Sequence, residues 1–258
     1  MALDNKVAVI TGGTRGIGFG IASAFIKQGA AVMLIGRSEE KGEKALAELG
    51  EPTRTGFFAG DATNRDDVEE VIDSAVSRFG RLDILVNNVG GADEFAPVAM
   101  MSDDVWERGL RFNLTSAFYA SRKALEYMIP QQSGRIINMS SVEGKHGKPF
   151  IVQYVTAKHA LNGFTKGLSK EVATDGITVN ALCPGLVVTD LIRKSAAAAA
   201  ISAGITEEAF LSQYASEAAL GRPITVEEVA AMAVLIASDA GSGITGALLS
   251  VDGGTAAY

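Results

Sequence analysis

An α/β chain built around a doubly wound parallel sheet is the fold class this sequence predicts, and three observations predict it. Short, continuously apolar runs of strand length recur along the chain, as strands buried on both faces require. Stretches with apolar residues at three- and four-residue steps lie between them, the spacing of helices that bury one face. A glycine cluster, Thr11-Gly12-Gly13-Thr14-Arg15-Gly16-Ile17-Gly18, stands where the first such run gives way to the first helix. Alternation of this kind implies parallel strands with helices packed on both faces.

The first strand reads as Val7 to Ile10 and the first helix as Ile17 to Gln28, stopped at Gly29. Between them the spacing is G-x3-G-x-G, not the commoner G-x-G-x-x-G. Glycine serves such a loop in three ways: a tight turn, a close approach of main chain to phosphate, and close packing of helix on strand. The helix N-terminus adds unpaired N–H groups and partial positive charge, so the segment suits a dinucleotide pyrophosphate. The second strand, Ala31 to Ile35, ends at Gly36-Arg37-Ser38, and no carboxylate follows until Glu39. An acid near this point binds the ribose hydroxyls of NAD, whereas an Arg suits the 2′-phosphate of NADP. Arg37, with Arg15 from the glycine loop, matches phosphate geometry. NADP(H) is therefore expected over NAD(H), with NAD left open.

The third strand is Thr55 to Ala59, followed by a helix over Arg65–Phe79; the fourth is Leu82 to Val86, followed by a helical stretch over Asp104–Met128. The fifth, Arg135 to Met139, ends at Ser140-Ser141, and the pattern is helical again from Gln153 to Thr174. Tyr154 and Lys158 lie four apart in that helix, so they share a face one turn apart. A tyrosine near its reference pKa of about 10 is a poor proton donor or acceptor at neutral pH. A neighbouring ammonium favours the phenolate and brings the group toward its working range. Ser141, at the carboxyl end of a strand where open α/β sheets bind ligands, is placed to hydrogen-bond a substrate oxygen. A dinucleotide loop and a proton-transfer tyrosine together point to hydride exchange between a nicotinamide and a carbonyl or alcohol.

The sixth strand is Thr178 to Leu182 and the seventh Ala247 to Val251, with a helix over Val226–Ser238 between them. Thr225 with Glu228 makes a capping box for that helix. Asp190 to Leu220 breaks the alternation. It is Ala-rich and helical in tendency, with apolar Ile192, Phe210, Leu211 and Tyr214 and cations Arg193 and Lys194. Connections this long often serve as lids over a site. Glu143 to Phe150 and Gly91 to Pro97 are expected to wall the same pocket, where Asp93 and Glu94 would disfavour an anionic substrate.

These residues resemble the short-chain dehydrogenase/reductase family, and the resemblance spans the whole chain. Thr11 to Gly18 is similar to its T-G-x3-G-x-G, Asn87-Asn88-Val89-Gly90 to its N-N-A-G, and Pro184-Gly185 with Thr189 to its P-G-x3-T. Ser141, Tyr154 and Lys158 match its Ser and Y-x3-K, and Asn113 stands where the family has an active-site Asn. The resemblance implies a Rossmann-type sheet in strand order 3-2-1-4-5-6-7. It implies that Tyr154 is the general acid in reduction and general base in oxidation. Lys158 would lower the tyrosine's pKa and hold the nicotinamide ribose, Ser141 would polarise the carbonyl, and Asn113 would anchor a water leading protons from Lys158. The cofactor would further meet Gly12, Thr14, Arg15, Gly16, Ile17, Gly18, Arg37, Asp61, Ala62, Asn88, Gly90, Pro184, Gly185, Val187 and Thr189. The 3-oxoacyl reductase branch is the nearest in character, with an NAD-dependent polyol, sugar or hydroxy-acid dehydrogenase as the alternative. Family members usually form homotetramers, which makes a homotetramer the expectation here.

Composition narrows the remaining classes. The chain has 258 residues, 47% of them hydrophobic, which suits one catalytic domain over residues 1–258. A net charge of −7 argues against nucleic-acid and anionic-membrane partners. No apolar run is long enough to span a bilayer and no secretory signal is evident, so a cytoplasmic enzyme is expected. The lone Cys183 excludes an internal disulfide and reads as a small buried filler. His146 and His159 lack metal-ligand spacing, so no metal is expected.

Overall fold

The computed structural model describes residues 1–92 and 94–256; Asp93 lies outside the described residues. Seven parallel strands form one sheet: β1 (Val7–Thr11), β2 (Ala31–Gly36), β3 (Thr55–Ala59), β4 (Ile84–Asn87), β5 (Gly134–Met139), β6 (Ile177–Pro184) and β7 (Leu248–Val251). Their order is β3-β2-β1-β4-β5-β6-β7, as the sequence leads one to expect. In register, Ala8 of β1 stands beside Val32 of β2 on one side and Ile84 of β4 on the other. The chain therefore leaves β1 in opposite directions along the sheet, and a crevice opens at the carboxyl ends where it does so.

The helices are α1 (Gly16–Lys27), α2 (Glu39–Leu49), α3 (Arg65–Phe79), α4 (Asp103–Leu110), α5 (Ser116–Gln131), α6 (Val152–Val172), α7 (Asp190–Ala203), α8 (Glu207–Ala215) and α9 (Val226–Ala237). Strand side chains alternate between faces, and so do the two cores. Ala8 and Ile10 of β1 and Leu34 of β2 pack under Phe25 of α1 and Ala233 of α9. Val9 and Ile35 point the other way, into Ile72 of α3, Met128 of α5 and Leu168 of α6. Burial on both faces explains why these strands read as unbroken apolar runs.

Two features depart from the expected elements. The stretch expected as one helix over Asp104–Met128 is divided into α4 and α5 by a π-helical turn at Arg111–Thr115. The reason lies in Asn113, whose Nδ2 donates to the Gly109 carbonyl at 3.0 Å and so enters the helical ladder. The stretch Asp190–Leu220, expected to be helical, contains the pair α7 and α8 and continues past Ala215 outside them. Among the described residues, no helix is long and apolar enough to cross a membrane.

Candidate active site

The glycine loop joins β1 to α1 with Gly12 at φ 63° and Gly16 at φ 56°, a region that side chains with a Cβ rarely adopt. Gly18 is required by contact instead: a Cβ there would stand 2.5 Å from Asn88 Nδ2 and 2.6 Å from the Gly12 carbonyl. Asn88 Nδ2 donates to the carbonyls of Thr11 and Gly12 at 3.0 and 3.2 Å, which ties the loop to the end of β4. Ser38, Asn64, Ser102, Thr206 and Thr225 cap their helices with side-chain oxygens, but the first turn of α1 has no side-chain cap and no acid. Its N–H groups are thus left for an anion in the crevice. Gly16 also lies against Thr189, whose Cγ2 would be 3.3 Å from an added Cβ, so both segments flank the same space.

At the end of β2, Arg37 is exposed and Ser38 Oγ accepts from Lys41 N at 3.3 Å. Lys41 is a third cation here, and sequence reading missed it because nothing in the spacing turns it toward Arg15 and Arg37. After β3, Asp61 Oδ1 accepts from both N and Oγ1 of Thr63 at 2.9 Å, which fixes the acid at the crevice edge.

The reactive end is built by β5, the π-helical turn before α5, and α6. Asn113 Oδ1 accepts from Gly91 N at 2.8 Å, and its Nδ2 donates to Gly91 O at 3.0 Å. A Cβ at Gly90 would fall 2.6 Å from Asn113 Oδ1 and 2.8 Å from Lys158 Nζ. Only glycine lets these two polar groups meet beside the main chain. Lys158 is buried, and its Nζ donates to the Met139 carbonyl at 2.7 Å. Burial lowers its pKa to about 8.

Tyr154 departs from the sequence expectation. Burial first, and then the Glu143 carboxylate, push its hydroxyl above the ordinary tyrosine value, while Ser141 opposes them by hydrogen bonding. The ammonium of Lys158 is turned to Met139 and stands 5.5 Å from the tyrosine ring centroid, so its charge does not prevail. Ser141 is also engaged. Its hydroxyl donates to Glu143 Oε2 at 2.5 Å and accepts from Glu143 N at 3.2 Å. Tyr214 of α8 donates to the other oxygen of Glu143 at 2.8 Å. Sequence reading placed Glu143 at the pocket wall without a role, and no periodicity links it to Tyr214, 71 residues away. Cys183 is buried, and burial pushes its thiol up, as suits an inert filler.

A cleft of about 1520 Å³ gathers these parts. Of the residues expected to be catalytic or to meet the cofactor, all but Gly18 and Asn113 line it; Asn113 holds Gly91 in its wall, and Gly18 packs against Asn88. It exceeds the 300–1,000 Å³ usual for small-ligand pockets and suits a dinucleotide beside a substrate. The residues present fit that group: an uncapped helix start, a loop that excludes Cβ atoms, and cations at one end.

The family described as short chain dehydrogenase matches residues 6–200. Over 254 residues, 98% of either chain, the sequence is 38% identical to a D-beta-hydroxybutyrate dehydrogenase of Cupriavidus necator. It is 36% identical to a 3-oxoacyl acyl-carrier-protein reductase of Chlamydia muridarum, again over 98% of each. A crystal structure of an actinorhodin polyketide ketoreductase variant with NADPH superposes with a TM-score of 0.93, at 32% identity and 98% coverage of both chains. The chain belongs to the short-chain dehydrogenase family. It is an oxidoreductase whose NAD(P)-dependent reaction interconverts hydroxyl and keto groups.

Proposed function

We propose that this chain is an NADP(H)-dependent ketone reductase of 3-oxoacyl reductase type, with Asn113, Ser141, Tyr154 and Lys158 as its catalytic residues. The observation that carries the reading is the single cleft in which Arg15, Arg37 and Lys41 border the same space as Ser141 and Tyr154. Guanidinium and ammonium groups there suit a 2′-phosphate. A bound nicotinamide supplies the hydride in reduction and takes it in oxidation. Tyr154, kept protonated by burial and by Glu143, is set as the acid that gives its proton to the forming alkoxide. Lys158, poised at about 8, exchanges protons near neutral pH, and Asn113 fixes the Gly91 backbone beside it. Pro184, Gly185, Val187 and Thr189 form the wall facing the glycine loop.

One catalytic domain over residues 1–258 acts in the cytoplasm as a homotetramer under this reading. Exposed Trp106, Phe118 and Ile129 on α4 and α5 are apolar surface that subunit pairing would cover; light scattering at monomer mass would refute the tetramer. The similarity to a hydroxybutyrate dehydrogenase supports the second reading, an NAD-dependent hydroxy-acid, sugar or polyol dehydrogenase. Parallel assays with acetoacetyl-CoA and either NADPH or NADH separate the two. NADPH is expected to serve at least tenfold better; a matching preference for NADH would overturn the cofactor assignment.

A further inference from the structure

We propose that Glu143 is a positioning residue: it orients the Ser141 hydroxyl and ties that serine to the substrate lid through Tyr214 of α8. The inference deepens the proposed reaction and rests on its assignment of Ser141 and Tyr154 to the substrate oxygen.

Glu143 lies two residues past Ser141, in the 3₁₀ turn Val142–Gly144, and its side chain is almost entirely buried. A carboxylate is retained in such a place only with strong partners. Here Ser141 Oγ donates to Oε2 at 2.5 Å and Tyr214 OH donates to Oε1 at 2.8 Å. Lys148 Nζ stands 4.0 Å from Oε1, 3.3 Å from Glu217 Oε2 and 3.2 Å from the Tyr214 ring centroid. Glu143 is thus the knot between the serine, the pocket wall and the lid.

In the absence of substrate the single proton of Ser141 is directed to that carboxylate, the oxygen accepts from Glu143 N, and the Tyr154 hydroxyl is its third neighbour. What remains on Oγ is an acceptor, suited to the hydroxyl of a bound alcohol. To donate to a ketone, Ser141 must give up a charge-assisted bond, about twice as strong as a neutral one. Release of Tyr214 when the lid moves alters the hold of Glu143 on Ser141, so lid position and serine orientation change together.

The same carboxylate lines the cleft with Tyr154, around which Ser141, Tyr214, Lys158 and Cys183 are the other polar and titratable groups, with Lys148 on the far side of Glu143 and Tyr214. A carboxylate beside a phenol opposes the phenolate, so its removal moves the rising limb of alcohol oxidation toward acid.

The test uses the full chain with 3-hydroxybutyryl-CoA and NADP⁺, and with acetoacetyl-CoA and NADPH. In Glu143→Gln the alkaline-rising limb of oxidation is expected to move by about one pH unit toward acid. Glu143→Asp, which keeps the charge, holds the wild-type limb. In Tyr214→Phe the limb stays and KM rises more than kcat falls. A second readout needs no turnover: amide hydrogen exchange across α8 in the NADPH-bound protein, expected to quicken about tenfold in both Glu143→Gln and Tyr214→Phe with the loss of one buried hydrogen bond. An unmoved limb in Glu143→Gln, or unchanged exchange across α8 in both variants, overturns the proposal. Wild-type protein inert toward both thioesters would instead overturn the reaction assignment, and exchange across α8 would still decide the tie.

Discussion

Lys158 is a charged residue held almost wholly inside the protein, where its Nζ donates to the Met139 carbonyl. Burial lowers its pKa from 10.5 to about 8, so below pH 8 the fold bears the desolvation cost of an ammonium. The unfolded chain binds more protons than the native one between about 8 and 10.5, and stability owed to this site therefore rises with pH across that window. Lys158→Met is expected to raise stability by on the order of 2 kcal/mol at pH 7. That gain should fade toward pH 10, and urea denaturation at both pH values measures it. Equal stability of the two proteins at pH 7 would show that burial of the ammonium costs the fold nothing. At this scale the sequence showed Tyr154 and Lys158 as one-turn neighbours because helical spacing fixes which residues share a face. It did not show that Lys158 turns to Met139, nor that Glu143 engages Ser141. The first joins α6 to the end of β5, 19 residues away, and the second is a local turn contact that no apolar periodicity records.

At the scale of elements, most of what matters is where helices begin. α1 starts uncapped at the cleft, whereas α9 starts with a full capping box: Thr225 Oγ1 accepts from Glu228 N at 3.2 Å and Thr225 N donates to Glu228 Oε2 at 2.8 Å. α9 packs along α1 on one face of the sheet, so its start supports the helix that faces the pyrophosphate site. Thr225→Ala is expected to cost about 1 kcal/mol in denaturant unfolding while leaving kcat unchanged. An activity loss with full stability would mean that the cap serves the site rather than the helix. The capping box was readable from four residues, and β1 and β2 were readable because burial on both faces leaves an unbroken apolar run. The π turn at Arg111–Thr115 was not readable. It arises from the bonds of Asn113 to Gly109 and Gly91, a distant pairing that leaves the apolar period nearly intact.

For the whole molecule, strand order does the placing. Because β1 is flanked by β2 and β4, the loops after β1, β4 and β5 open on one crevice, with α7 and α8 beside it. The glycine loop and Arg37 thereby come to share a cleft with Ser141 and Tyr154, although more than a hundred residues separate them in the chain. The sequence made this legible through alternation of strands and helices, since right-handed parallel crossovers leave few topologies to choose among. Tyr154 stands there as the proton donor we propose for a ketone held in that cleft. Its most direct test is turnover of Tyr154→Phe with acetoacetyl-CoA and NADPH, alongside NADPH binding by fluorescence. NADPH affinity is expected to be unchanged and kcat lowered roughly 100- to 10,000-fold. Turnover equal to wild type, with binding intact, would contradict it.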